Sequence, residues 1–196
     1  MFRWLKKLYD WVLHWAETPY AIPALMALAF AESSFFPIPV DVLLIAMAVS
    51  IPKRSFEYAS YVSLFSVVGG AAGYLIGNQF MGVVGWPIIN LYGYEEQFTT
   101  LSESFRNYNF IAVLTAALTP IPYKVFTITA GAVSSDFIEF FVASAMGRSA
   151  RFFAVAALIY FFGESIKSFI ELYFNILTIV FTILLIGGFF LIGRLF

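Results

Sequence analysis

Long apolar runs separated by short polar breaks dominate the chain. The run at residues 21–50 is interrupted between Glu32 and Asp41, so each half is too short for the ~20 residues that a membrane-crossing helix needs. Pro37 and Pro39 remove backbone donors and prevent a continuous helix through the break. Bare backbone at membrane depth persists only where it is buried in protein or lines a wet cavity. We therefore predict that 21–50 is a re-entrant hairpin, which enters and leaves the membrane on the same side.

The same pattern recurs in the second half of the chain. Residues 110–133 are apolar on both sides of a break that contains Pro120 and Pro122. A broken helix at matching positions of two repeats predicts a transporter-like site near the bilayer midplane. Two ordinary spans with proline kinks are the alternative, but kinks do not account for the charged residues beside both breaks.

The remaining elements complete an all-α integral membrane protein. Three further apolar stretches are long enough to cross a bilayer: 58–81, 137–162 and 169–193. Residues 1–18 alternate apolar and charged side chains at helical spacing, which predicts an amphipathic helix in the interface. We expect one membrane domain, 1–196, with two re-entrant hairpins in an inverted repeat, about three transmembrane helices and this N-terminal helix.

Composition supports the membrane class and excludes several chemistries. Hydrophobic residues make up 61% of the chain and charged residues 12%, whereas soluble domains are about half apolar and a quarter charged. The absence of cysteine and the single histidine argue against metal sites and disulfides. The sequence contains no basic block of the kind that would indicate nucleic-acid binding. It also contains no nucleophile–base set of the kind that would indicate an enzyme. We expect no cofactor, metal, nucleic-acid partner or enzymatic activity.

Three glycines share one face of the first predicted span. Gly69, Gly73 and Gly77 lie four residues apart, which is a double small-xxx-small pattern for close helix packing. We expect the first hairpin to pack there. A path for substrate and a surface for a homo-oligomer are the alternatives.

Five ionisable residues fall at predicted membrane depth: Glu32, Asp41, Lys124, Arg148 and Arg151. Each would cost about 2.5–3.5 kcal/mol or more at the centre of an isolated helix. They must therefore pair, face water or bind a ligand. Two acids against three bases leave one cation without an acidic partner, which an anionic ligand would balance. A purely structural charge network is the alternative.

The distribution of basic residues predicts the orientation. If both hairpins return to their side of entry, six basic residues share one face, against two on the other. The six are Arg3, Lys6, Lys7, Lys53, Arg54 and Lys167, and the two are Arg106 and Arg194. The first set, together with the N-terminus, is expected to be cytoplasmic in a multi-pass protein.

These motifs resemble the DedA family, the SNARE-associated or VTT-domain superfamily, and its YqaA-like bacterial branch. Four segments carry the resemblance: Glu32-Ser-Ser-Phe-Phe-Pro37-Ile-Pro39, Gly69-Gly70-x-x-Gly73-Tyr74-x-x-Gly77, Thr119-Pro-Ile-Pro-Tyr-Lys124 running to Ala130-Gly131, and Gly147-Arg148-x-x-Arg151-Phe152. The resemblance implies lipid flippases or scramblases of the bacterial inner membrane. It implies undecaprenyl phosphate or phosphatidylethanolamine as substrates, with proton coupling in some members.

Residue by residue, the resemblance assigns Glu32 and Asp41 to the acidic pair, and Arg148 and Arg151 to the basic pair. Lys124 stands where many members have arginine, and lysine binds phosphate as a point charge rather than through a planar fork.

We expect a transporter of phosphate-bearing lipid. The three cations would hold the lipid phosphate between the hairpin tips, and the two acids would carry protons. The alternatives are a proton-coupled transporter of a small ion or solute, and a scaffold for membrane assembly that transports nothing.

Overall fold

The computed structural model describes residue 18 and residues 20–36, 40–119 and 121–163. All regular secondary structure in these ranges is helical, as predicted. The N-terminal helix predicted at 1–18, apart from Thr18, and the span predicted at 169–193 lie outside the described residues. Pro37, Pro39 and Pro120 of the two breaks also lie outside them.

The described residues form eight α-helices and two short helical segments of other types. In order they are α1 (Ala21–Ser34), α2 (Val40–Ser50), a 3₁₀ turn (Pro52–Arg54), α3 (Ser55–Phe80), a π segment (Met81–Gly85), α4 (Trp86–Tyr92), α5 (Glu95–Asn107), α6 (Asn109–Leu118), α7 (Tyr123–Ala132) and α8 (Phe137–Gly163). Two continuous helical stretches, Pro52–Tyr92 and Phe137–Gly163, are long and apolar enough to cross a membrane.

Short helices flank each predicted break. Helices α1 and α2 contain 14 and 11 residues, and α6 and α7 contain 10 each. None of the four reaches the ~20 residues that a crossing needs. Helix α6 ends where Thr119 becomes extended, which is the conformation that a following proline favours. Pro122 lies directly before the first residue of α7. The re-entrant path of these helix pairs through a membrane stays a prediction.

The first long helix extends beyond the predicted span. Residues 82–106 contain several glycines and Pro87, a composition that predicts an aqueous or interfacial connection after the first span. Pro87 instead lies in the first turn of α4, directly after the π segment, within a helical stretch that continues from Pro52 to Tyr92. The stretch from Pro52 to Tyr92 has 41 residues, ~60 Å of helix against ~30 Å of hydrocarbon. Part of it must therefore protrude, tilt or lie along the membrane surface.

Helices α3 and α8 pack antiparallel through the centre of the molecule. Near the start of α3, the Phe56 ring centroid lies 6.2 Å from that of Phe153. Further along α3, the Tyr74 ring centroid lies 5.2 Å from that of Phe140, near the start of α8. Residue numbers therefore increase along α3 in the direction in which they decrease along α8. An inverted repeat requires this antiparallel arrangement of its two long helices.

Each pair of short helices packs against a different half of α3 and α8. One apolar core joins α1 and α2 to Tyr58, Val62, Phe152 and Ile159. A second core joins α6 and α7 to Tyr74, Phe140 and Ala143. The segments of α3 and α8 between these cores carry the polar residues described below.

The glycine face of α3 contacts both short-helix pairs. A Cβ at Gly69 would collide with the backbone of Phe30 in α1, and one at Gly77 would collide with the carbonyl of Ile128 in α7. Gly73, between them, lies against Thr127 of α7 and 3.2 Å, measured from its ideal Cβ position, from the Ser33 carbonyl oxygen. The expected contact with the first hairpin is thus only part of the packing, because Gly77 approaches the second.

Candidate functional site

Arg148 lies on α8 between the two apolar cores and is almost fully buried, with 2% of its surface exposed. Its Nη2 donates to Glu32 Oε2 on α1 at 2.7 Å, and the Glu32 side chain is 18% exposed. Removing an ion from water costs several kcal/mol, so a buried guanidinium needs fixed acceptors. Glu32 supplies the charge that Arg148 needs.

A hydroxyl pair and two aromatic rings hold the same guanidinium. Arg148 Nε donates to Ser66 Oγ on α3, which lies 2.6 Å from Ser33 Oγ on α1. The ring centroids of Tyr123 and Phe152 lie 4.8 and 4.6 Å from Arg148 Cζ, distances typical of cation–π contacts. Arg148 therefore joins helices α1, α3, α7 and α8.

Arg151, one turn further along α8, binds the second acid. Its Nε and Nη2 donate to Asp41 Oδ1 and Oδ2 at 3.2 and 2.9 Å, which is a bidentate pair. Its Nη1 donates to the Thr119 carbonyl oxygen at 2.6 Å. Because Asp41 lies in the first turn of α2 and Thr119 directly follows α6, Arg151 connects the edges of the two breaks.

Lys124 lies in the first turn of α7 and makes no ion pair within the described residues. Its Nζ donates to the carbonyl oxygen of Phe36, two residues after the end of α1, at 3.4 Å. One turn later, Thr127 Oγ1 donates to the Ser33 carbonyl oxygen at 3.2 Å. The two breaks therefore meet directly, and the cation there is half-buried.

The structure thus brings Glu32 to Arg148 and Asp41 to Arg151, and places Lys124 at the meeting point of the breaks. All five residues proposed for phosphate binding and proton coupling lie in one polar layer between the two apolar cores. What each of them binds or carries stays a prediction.

Sequence reasoning missed the uncharged part of the layer, namely Ser33, Ser66, Thr119, Tyr123 and Phe152. A signal was available for one of them. Ser66 lies three residues before Gly69, so it extends the small-residue face of α3 by one turn. A small polar residue on a close-packed helix face is well placed to hydrogen-bond across it.

The charged groups of this arrangement can exchange ionic partners. Within the ranges that the structure describes, no three His, Cys, Asp or Glu side chains cluster in a way that would hold a metal ion. A guanidinium or ammonium group donates hydrogen bonds to phosphate oxygens as it does to carboxylate oxygens. A phosphate group could therefore take the place of either carboxylate.

Comparison with known proteins relates the chain to one family. The VTT domain matches residues 38–161. An uncharacterized protein of Haemophilus influenzae is 36% identical over 159 residues, which is 80% of this chain and 81% of that protein. An uncharacterized protein of Histophilus somni is 33% identical over 151 residues, 77% of this chain and 78% of that protein. No solved structure matches the chain significantly.

Proposed function

From the premise that this chain belongs to the VTT-domain family, the DedA family of membrane proteins, we propose that it moves a phosphate-bearing lipid between leaflets. The lipid is a polyprenyl phosphate such as undecaprenyl phosphate, or a phospholipid. The proposal places the protein in the bacterial inner membrane, with its N-terminus in the cytoplasm, and assigns it no covalent chemistry and no cofactor.

The observation that carries the proposal is the unequal charge balance where the breaks meet. Glu32 and Asp41 balance Arg148 and Arg151, while Lys124 donates only to a carbonyl oxygen among the described residues. A buried or half-buried cation without a counter-ion is unfavourable in a membrane. An anion that binds at Lys124 would remove this cost.

Transport requires that the anion be released as well as bound. The carboxylates of Glu32 and Asp41 compete with a phosphate for the two arginines, because both kinds of oxygen accept the same N–H groups. Protonation of a carboxylate would weaken its hold and free its arginine for the lipid. Deprotonation would restore the ion pair and expel the lipid. Glu32 and Asp41 would in this way couple transport to protons.

Leaflet exchange in liposomes tests the proposal. The purified full chain is reconstituted, and exchange of a fluorescent phospholipid and of a polyprenyl phosphate is followed. Lys124→Gln should reduce exchange at least about tenfold, since a hydrogen bond to a charged group is worth about 1.5–3 kcal/mol. Arg148→Ala and Arg151→Ala should also abolish it, without loss of membrane insertion.

Lys53→Gln is the matched control, because Lys53 is an exposed lysine in the 3₁₀ turn after α2. It should exchange lipid as the unmodified chain does. Exchange at the unmodified rate by the two arginine variants would exclude this site. Absence of lipid exchange, together with flux of glycerol phosphate, would favour transport of a small solute.

A structural charge network is the second candidate, and the bidentate pair between Arg151 and Asp41 favours it. In this reading the pair only ties α2 to α8, and no ligand contacts Arg151. The double variant Asp41→Asn/Arg151→Gln removes both charges and leaves groups that can hydrogen-bond. Full lipid exchange by this variant would assign the pair a structural role, and loss of exchange would keep it in the transport site.

A further inference from the structure

Two serine hydroxyls connect Arg148 to Glu32 by a second route. Ser66 Oγ accepts from Arg148 Nε, and Ser33 Oγ lies 2.6 Å from Ser66 Oγ. Ser33 Oγ also lies 3.3 Å from Glu32 Oε2, to which it donates. Both serines are fully buried. The direct bond from Arg148 Nη2 to Glu32 Oε2 closes a ring of four side chains.

The proton count fixes the direction of this ring when Glu32 is ionised. An arginine only donates, an ionised carboxylate only accepts, and each serine hydroxyl carries one proton. Because the Ser33 proton points to Glu32, the 2.6 Å bond must be made with the proton of Ser66. The donors therefore run from Arg148 to Ser66, from Ser66 to Ser33 and from Ser33 to Glu32. Every hydrogen bond in the ring has one donor and one acceptor.

The ring makes Glu32 harder to displace from Arg148 than a simple ion pair would be. A phosphate that takes the place of the carboxylate must separate Glu32 Oε2 from Arg148 Nη2 and from Ser33 Oγ. Reorientation of the guanidinium would break its bond to Ser66 as well. Hydrogen bonds that join charged groups through hydroxyls strengthen one another in a low dielectric. Loss of either hydroxyl would leave the carboxylate more weakly held.

We propose that Ser33 and Ser66 are positioning residues that set how strongly the Glu32 carboxylate competes with an anionic ligand for Arg148. This inference rests on the proposed function, because it assumes that a lipid phosphate binds Arg148. Removing either serine hydroxyl should tighten the binding of a phosphate amphiphile and slow its release. Arg148 donates to Ser66 and Glu32 but not to Ser33, so the effect of Ser33 must pass through one of those two residues.

Binding of dodecyl phosphate to the full chain in maltoside micelles tests this inference by calorimetry. Ser66→Ala should tighten binding by up to about fivefold, the equivalent of one neutral hydrogen bond of about 1 kcal/mol. Ser33→Ala should act in the same direction, and the double variant should exceed the stronger single variant by less than twofold. Ser63→Ala is the control, since Ser63 is also buried on α3, one turn before Ser66, and its hydroxyl has no partner among the described residues.

Several results would overturn the proposal. One is unchanged or weaker binding in Ser66→Ala, and another is an equal change of affinity in Ser63→Ala and Ser66→Ala. A third is a double variant whose change in affinity equals the product of the two single changes. Lipid exchange adds a kinetic readout: both the half-saturating lipid concentration and the maximal rate should fall in Ser66→Ala. A purely structural loss would lower the rate without tightening binding.

A second measurement separates this proposal from the proposed function. If the unmodified chain binds no dodecyl phosphate and moves no lipid, the proposed function fails and the competition assigned to the serines fails with it. Apparent melting temperatures then test whether the four side chains form a hydrogen-bonded ring. Each serine variant should melt about 2–4 °C lower, with the double variant close to the lower single variant. Additive shifts would show that no ring exists.

Discussion

Arg148 and Arg151 lie one turn apart on α8, yet their charges are balanced in different surroundings. The side chain of Arg148 is 3% exposed and divides its donors between a carboxylate and a hydroxyl. That of Arg151 is 20% exposed and grips both oxygens of one carboxylate. Loss of a partner costs most where water cannot replace it. Arg148 is therefore the position at which stability depends most on charge.

Arg148→Gln should lower the free energy of unfolding by about 3–5 kcal/mol, because it leaves Glu32 facing a protein interior without a cation. The double variant Glu32→Gln/Arg148→Gln should recover a large part of this loss, since no uncompensated charge remains. Apparent melting temperatures in detergent provide the measurement. The double variant is expected to be folded but unable to exchange lipid.

The control for this comparison is Arg54→Gln. Arg54 and Glu57 form an ion pair whose side chains are 44% and 40% exposed, and exposed pairs contribute little to stability. The melting temperature of Arg54→Gln should therefore stay close to that of the unmodified chain. A double variant that melts as low as Arg148→Gln would show that packing of the guanidinium, rather than its charge, matters at this position.

The sequence identified the charged members of the site but not their pairing. Hydropathy makes Glu32, Asp41 and Arg148 conspicuous, because charge is costly at membrane depth. Which acid meets which base depends on how α1, α2 and α8 are placed relative to one another, and residue spacing does not determine this. Ser33 and Ser66 gave no comparable signal, since an isolated serine is ordinary in an apolar helix.

At the scale of elements, α3 positions both breaks because its glycines let other helices come close. Gly69 admits the backbone of α1, and Gly77 admits that of α7. Gly131 on α7 faces the carbonyl of Tyr74 on α3, so the approach of α3 and α7 is mutual. This close contact brings Thr127 and Lys124 to the end of α1.

Gly77→Ala should therefore be strongly destabilising. The added Cβ would meet the carbonyl of Ile128, which is backbone and has little room to move. Overpacking of this kind costs about 1–3 kcal/mol and sometimes more. Lipid exchange should fall as well, because α7 carries Lys124. Melting temperature and exchange rate measured on the same preparation test both effects.

Gly82→Ala is the matched control, because a Cβ at Gly82 would meet nothing within 4 Å. Alanine is the better helix former by about 1 kcal/mol, so this variant should be neutral or slightly stabilised. Equal destabilisation at the two positions would mean that helix flexibility, rather than close approach, explains the glycines.

The sequence predicted the positions of the helices better than their lengths. The apolar periods located the helix pairs on both sides of the breaks, and the predicted span 137–162 is helical throughout. Residues 82–106 were read as a connection because glycine and proline are usual there. In the structure, α5 is a separate helix whose Phe98 ring centroid lies 5.4 Å from that of Trp86. Tertiary contact outweighed weak local propensity.

At the scale of the molecule, the polar layer lies between two apolar cores built from equivalent parts. One core combines α1 and α2 with the first half of α3 and the second half of α8, and the other combines α6 and α7 with the opposite halves of these two helices. The recurrence of proline breaks predicted this duplication from the sequence. The layer itself was not predictable, because it arises only where antiparallel α3 and α8 place Ser66 beside Arg148.

The inverted repeat also makes a prediction about topology. If it spans a membrane as proposed, the turn between α2 and α3 and the turn between α5 and α6 lie on opposite sides. The chain contains no cysteine, so single-cysteine variants give an unambiguous readout. Lys53→Cys and Asn107→Cys place exposed thiols at these turns. An impermeant maleimide should label Asn107→Cys in spheroplasts and Lys53→Cys only in inverted membrane vesicles.

The labelling pattern depends on the path that α1 and α2 take through the membrane. If α1 and α2 together crossed the membrane instead of returning, the N-terminal basic residues and Lys53 would lie on opposite faces. The distribution of these basic residues would then change from six against two to five against three, a much weaker bias. A cysteine at Lys6 reports this directly, and its labelling should match that of Lys53→Cys. Labelling of the two from opposite sides would rule out the first re-entrant hairpin. The break between α1 and α2 would then lie within a broken span that crosses the membrane, rather than at the tip of a hairpin.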